Sequence, residues 1–220
     1  MFMSYESTNA CHFNRIRLKI VILAWTLMIC FGGQTLAMTQ NNDAGQTAKS
    51  EAPLLLNSGI AQAQYAEVSV ILWFEDRDIP VAIRTSKPTP EWIWTYKELQ
   101  MENEVIATLT GQQTLNKSEE NSLYAWYTTI VPQIEKAGGE IYLDERINQA
   151  VDISAYLSQT NADPAQWVLI DNMISTAAYQ KNIETSVIAG QDQINIQLLS
   201  RGKGNVGQSV LAIPALLKEF

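Results

Sequence analysis

Histidine occurs once in this sequence and cysteine twice, and all three residues, Cys11, His12 and Cys30, stand in the first thirty positions. Beyond them the chain carries no imidazole and no thiol. Without its front end it has no means of disulfide stapling, of thiolate or Ser–His nucleophilic attack, of histidine general-base catalysis, or of a Cys/His zinc site. Basic charge is scarce too, with 15 Lys and Arg against 23 Asp and Glu, a net charge of −8. A nucleic-acid binder needs a basic face that displaces counterions. After the front end, only Arg201 and Lys203 stand close together. The apolar run from Ile20 to Phe31 is twelve residues long, short of the roughly 20 that a membrane-spanning helix requires.

That run has another use. Arg15, Arg17 and Lys19 precede it and Thr35-Leu36-Ala37 follows, the order of a secretory signal: basic region, apolar core, small-residue cleavage site. Residues 1–37 are therefore expected to be a signal peptide that is cleaved, with retention as a membrane anchor as the alternative. Cleavage would leave 12 basic and 22 acidic residues, a net charge of −10. Residues 38–52 are polar and cannot bury enough apolar surface to offset their ordering entropy; they read as a flexible leader. Residues 53–220 suffice for one domain with a real core. The chain is expected to be exported and extracytoplasmic, in the envelope or secreted.

The pattern beyond Pro53 predicts strands interrupted by two helices. Ala66 to Glu75 alternates Val68, Val70, Leu72 and Phe74 against Ile71 and Trp73, a strand apolar on both sides. Asp76 to Asp78 reads as a turn, Ile79 to Arg84 as a second strand and Glu104 to Gly111 as another. Asn116 with Glu119 predicts a capped helix carrying Leu123, Trp126, Tyr127, Ile130 and Ile134, closed at Gly138-Gly139 and kinked or shortened at Pro132. Ile141 to Leu143 reads as a short strand, Asp144 to Arg146 as a turn, and Gln149 to Leu157 as a strand. Asp163-Pro164 predicts a second helix through Trp167, Ile170, Ile174 and Ala177. Three strands follow: Thr185 to Ala189, Gln193 to Ser200, and Ser209 to Leu217. Without regular βαβ alternation, the expected fold is α+β: a largely antiparallel sheet with two main helices on one face.

Gly202, Gly204 and Gly207 spell G-x-G-x-x-G, the pattern of a dinucleotide-phosphate loop. Such a loop must open a helix whose N-terminus receives the phosphate. Here Ser209 to Leu217 contains Pro214 and reads as a strand, so no nucleotide site is expected. The glycines are expected to supply positive φ in a wide hairpin loop.

Two groups of side chains could carry chemistry. The acids Glu75, Asp76 and Asp78, with Asp144 and Glu145, could serve a carboxylate-dependent hydrolase if two of them faced each other about 5–10 Å apart; placed on turns, they read as solvated surface charge. Trp92, Trp94 and Tyr96 alternate along one predicted strand. They form either a ligand-binding stripe or a core face under Trp126 and Trp167.

The "ISAY" of Gln149 to Leu157, the "NIQ" strand ending at Arg201, and the close through Ile213-Pro214 to Glu219-Phe220 resemble the C-terminal half of the YwmB-like family of exported Firmicutes proteins, over roughly 45 residues. The resemblance implies an α+β fold with two related halves and no established enzymatic activity. The family label mentions TATA-box binding, but a label does not give function, and a chain of this charge and destination is unsuited to hold DNA. The expected function is non-catalytic: binding or scaffolding a cell-wall component or an envelope protein. No cofactor, metal or nucleic acid is expected, and the membrane enters only through an uncleaved N-terminal segment. The alternative is a hydrolase of wall glycan.

Overall fold

The computed structural model describes residues 54–75, 78–100, 105–204 and 206–217, with the backbone alone at Ile170. The expected signal segment 1–37, the leader 38–52, Asp76 and the terminal Glu219-Phe220 lie outside the described residues. Eight strands form one antiparallel sheet: β1 (Tyr65–Phe74), β2 (Thr95–Gln100), β3 (Val105–Asn116), β4 (Gly139–Ile147), β5 (Ala162–Ile170), β6 (Met173–Gln180), β9 (Ile196–Lys203) and β10 (Val206–Ile213). Their order is β2-β3-β1-β4-β10-β9-β6-β5. A small hairpin, β7 (Val187–Ala189) with β8 (Asp192–Ile194), forms a separate two-stranded sheet and packs on β5, where Gln166 Nε2 donates to Ala189 O and Asp192 Oδ2, each at 2.9 Å. The helices are α1 (Val81–Thr85), α2 (Lys117–Lys136) and α3 (Ile153–Thr160). Each half of the sheet ends in an edge hairpin, but the adjoining helix follows the hairpin in the first half and precedes it in the second.

One face of the sheet holds the core. Val68, Val70 and Leu72 of β1, Leu143 and Ile147 of β4, Leu198 of β9 and Leu211 of β10 form a buried cluster with Leu123, Tyr127, Ile130 and Ile134 of α2 and Tyr156 of α3. The sheet fold and both helices on one side agree with expectation, though α3 is not the second helix foreseen. Among the described residues, no helix is long and apolar enough to cross a membrane.

The start of α2 follows from its sequence. Asn116 Oδ1 accepts from the N–H groups of Ser118 (2.9 Å) and Glu119 (3.1 Å), and Glu119 Oε2 accepts from Asn116 N–H at 2.8 Å, which satisfies donors that a helix start leaves open. Gly138, at φ 73°, turns the chain into β4. The helix continues through Pro132 to Lys136, so the early end foreseen there does not occur.

Several segments differ from expectation. Ile79 to Arg84 is no strand: after Pro80 the chain makes the single helical turn α1, in which the N–H groups of Ile83 and Arg84 reach Pro80 O (2.9 and 3.1 Å) and Ile83 alone is buried. Asp144 to Arg146 is no turn but the interior of β4. Gln149 to Leu157 contains α3 instead of a strand. Ile153, Tyr156, Leu157 and Thr160 recur at helical spacing, although Val151, Ile153, Ala155 and Leu157 also alternate, and the Asp152 side chain, accepting from Ala155 N–H at 3.0 Å, caps the helix. The helix foreseen from Asp163 is the β5–β6 hairpin. Asn161, left-handed at φ 52°, ends α3 there, and Trp167-Val168-Leu169-Ile170 is strand-favouring sequence. Pro164 lies on an edge strand next to a bulge, where its missing donor is tolerated.

The glycine motif joins β9 to β10. Lys203 pairs with Val206, so the turn is tighter than the wide loop expected. Gly202 and Gly204 have φ of 87° and 52°, and strand follows strand with no helix to receive a phosphate. A Cβ at Gly202 would lie 2.5 Å from Val206 O. Gly202→Ala should therefore destabilise the domain by about 1–3 kcal/mol, measured by urea denaturation.

Candidate functional site

The aromatic stripe is divided by the fold. Only Tyr96 lies on β2; Trp92 and Trp94 belong to the connection before it. Trp92 is 1 % exposed and its indole lies against Gly111, where a Cβ would come within 2.1 Å of Nε1. Trp94 is half-buried between Trp92 (5.7 Å, edge-on) and Trp126 (5.9 Å, tilted). Ser86 fixes both outer indoles, its carbonyl accepting from Trp94 Nε1 and its hydroxyl from Trp126 Nε1, each at 2.8 Å. Tyr96 is exposed, donates its hydroxyl to Glu98 Oε1 at 2.7 Å, and lies 5.8 Å beneath the Arg84 guanidinium. Trp92 is thus core, Trp94 and Trp126 form a fixed ledge, and Tyr96 stands apart on the sheet edge. Trp167, foreseen as part of the opposing layer, is exposed on the far edge.

The foreseen acids separate as well. Glu75 and Asp78 are exposed. Asp144 lies on the face opposite the helices, bonded to Arg146 Nε at 3.1 Å. Glu145 points the other way, into the core, and there it meets an acid that sequence reasoning passed over, Glu120 of α2. Both are 0 % exposed. Between them they hold the segment Leu54 to Asn57. Glu145 Oε2 accepts from Leu55 N–H (2.5 Å) and Oε1 from Leu56 N–H (3.3 Å); Glu120 accepts from the N–H groups of Leu56 (2.7 Å) and Asn57 (2.9 Å), and also from Asn57 Nδ2. Burial, then the hydrogen bond to Glu120 and its charge, push the Glu145 carboxyl well above the ordinary range, against the opposing pull of the Leu55 and Leu56 N–H groups. Among these causes the neighbouring Glu120 acts both as hydrogen-bond partner and as a like charge. Tyr156 of α3 is buried nearby, its hydroxyl also raised, by burial first and by Glu145 second.

A signal for this pair exists in the sequence. Glu120 falls on the buried face of α2 with Leu123, Tyr127 and Ile130, and Glu145 alternates in phase with Ile141, Leu143 and Ile147. An acid in an apolar position of each element is the clue. A glycosidase pair must straddle a substrate; this pair is sealed under Leu54 to Asn57.

An exposed apolar row lies on the hairpin β5–β6. Trp167 and Leu169 are 62 % and 60 % exposed and Ile174 is 45 % exposed. Leu169 pairs with Ile174, and Trp167 with Thr176, so the three apolar side chains share one face. Among the described residues, β5 has no strand paired on its outer side. Neither a protein-family model nor a curated protein matches this chain.

Two outcomes follow from this geometry. Because the folded Glu145 binds its proton more tightly than an unfolded carboxyl, its contribution to stability is complete below about pH 4.5 and declines as pH rises through its elevated folded value. Urea midpoints taken across a pH series should fall in that direction, and Glu145→Gln should remove that component of the slope. Trp92→Ala should cost about 3–5 kcal/mol and Tyr96→Ala less than about 1 kcal/mol, a difference readable by the same denaturation.

Proposed function

We propose that this chain is a non-catalytic, exported protein of the cell envelope that binds a protein partner along the β5–β6 edge. The observation that carries the reading is the exposed pair Trp167 and Leu169 on the edge strand β5, with Ile174 of β6 beside Leu169, and no charged residue between Pro164 and Asp171. Edge strands of soluble proteins are ordinarily protected by lysine, other charges or a covering element. An apolar, aromatic-bearing row with open backbone groups suits recognition of another polypeptide.

The resemblance to YwmB-like proteins supports the same reading. The quoted "NIQ" lies at the start of β9, and Arg201 lies near its end; export follows from the sequence of residues 1–37. The hydrolase alternative has less to stand on. Glu120 and Glu145 converge, but beneath a segment whose backbone they hold, with no room for a sugar ring. The glycan-binding alternative rests on the ledge of Trp94 and Trp126, whose N–H groups are already engaged with Ser86.

Photo-cross-linking in envelope preparations, with the full chain as bait, tests this. A cross-linked protein that is lost with Leu169→Lys and kept with Tyr96→Ala is the expected result. Cosedimentation with purified wall glycan that depends on Trp94 or Trp126 and ignores Leu169 would transfer the function to the aromatic ledge.

A further inference from the structure

We infer that the strand this edge receives is β5 of a second copy, paired antiparallel about Val168. This assignment rests on the reading of β5 as the binding edge and adds the identity of its partner.

The register follows from the hairpin. Ile170 pairs with Met173 across the two-residue turn Asp171-Asn172, and the pair that closes such a turn is hydrogen-bonded. Alternation along an antiparallel ladder then directs the N–H and C=O of Val168 and Ile170 toward β6, and those of Trp167 and Leu169 outward. Antiparallel pairing of two β5 strands about Val168 sets Trp167 of each copy opposite Leu169 of the other. The outward backbone groups of one strand thereby meet those of its mate. No other register about a residue of this stretch matches Trp167 to Leu169 twice over.

Side chains agree with the backbone. On the face these side chains share, the helix-bearing face of the sheet, the order across the joined sheets becomes Ile174, Leu169, then Trp167 and Thr176 of the second copy, and the reverse beside it. Each cross-strand pair sets an aromatic ring against an aliphatic chain, a favourable combination. Along the strand itself charge is sparse: Asp171 comes opposite Ala165 and residues 166–170 carry none, while the Asp192 carboxylate beside Gln166 is engaged by its Nε2 at 2.9 Å.

The other edge of the sheet sharpens the contrast. β2 is exposed along its whole length but presents Lys97 and Glu98, the protection expected of an edge that stays unpaired. β5 lacks it, and Pro164 with its bulge confines pairing to the stretch that follows. A symmetric interface of this kind is closed, so it yields dimers and not fibres. With few residues per strand the contact belongs to the weak class. Because each chain carries net charge −8, the copies repel at long range. Salt screens that repulsion, so added salt should tighten the dimer.

Sedimentation velocity of the full chain over a concentration series, at low and high salt, reads this directly. A dimer that grows with concentration, tightens with salt and weakens at least about tenfold in Leu169→Lys supports the assignment, provided the variant's circular-dichroism melt is unchanged. A second measurement fixes the register. In a background with Cys11 and Cys30 changed to Ser, Val168→Cys should form a disulfide dimer on mild oxidation, because two residues facing each other without a shared hydrogen bond lie about 4.5 Å apart at Cα. Gln166→Cys, opposite residue 170 of the second copy, should not. A monomer at every concentration, or equal cross-linking at both positions, overturns the self-pairing. If the monomer still loses an envelope partner on Leu169→Lys, the second copy is wrong and the binding edge stands; if Leu169→Lys alters neither, both fall.

Discussion

Two acidic side chains at the centre of an apolar core hold the segment Leu54 to Asn57 to this fold's sheet. Glu120 comes from a helix, Glu145 from a central strand, and the N–H groups they accept belong to Leu55, Leu56 and Asn57, a segment with no ladder of its own. Buried backbone donors must find acceptors, and an irregular segment crossing the core has none to offer itself. Two carboxyl groups supply several acceptor positions in a small volume, at the cost of burying acid. Burial and the neighbouring Glu120 raise the Glu145 carboxyl well above its ordinary range, and a neutral carboxyl costs less to bury than a charged one. Leu54, Leu55 and Leu56, all fully buried, offset more of it. Removing either acid would strand buried backbone donors, a loss on the order of 1–3 kcal/mol.

The same arrangement makes the acid pair unsuited to catalysis. General acid–base work needs carboxyls that a substrate can reach and that alternate between protonation states. Here the route to the pair is occupied by the backbone it binds. Raised acidity constants gather at active sites, yet they arise as readily wherever burial and a like neighbour coincide. Geometry separates the two cases, and in this protein it favours a structural latch.

Some of this was legible beforehand. The cap of α2 was readable because Asn116, Glu119 and Gly138 are local devices whose chemistry does not depend on distant contacts. β1 was readable because its alternation is strict. The segments around α3 and β5 were not, since each carries apolar residues that fit both periods. Leu157 continues an alternation with Val151, Ile153 and Ala155 and also lies four residues from Ile153. Trp167, Ile170, Ile174 and Ala177 mimic a helix stripe although the sheet claims them. What settled both was Asn161: taking a left-handed conformation, it ends the helix that Asp152 begins and leaves Asp163 no helix to cap. The acid pair was hidden for a different reason. Its members are 25 positions apart on different elements, and only their apolar-face positions gave a hint.

The two edges of the sheet complete the physical picture. A long antiparallel sheet with helices on one side leaves two rows of open backbone groups, and the chain treats them differently. At β2 the exposed residues include Lys97 and Glu98, with Arg84 lying over Tyr96, so an approaching strand would have to strip charged groups of water. At β5 it would meet Trp167 and Leu169 with no charged residue on the strand from Ala165 to Ile170, and covering those two side chains is favourable. Evolution commonly suppresses such a row, because it invites unwanted pairing. Its presence beside a bulge that limits the length of any pairing is the arrangement expected of an edge kept for one short, reversible contact.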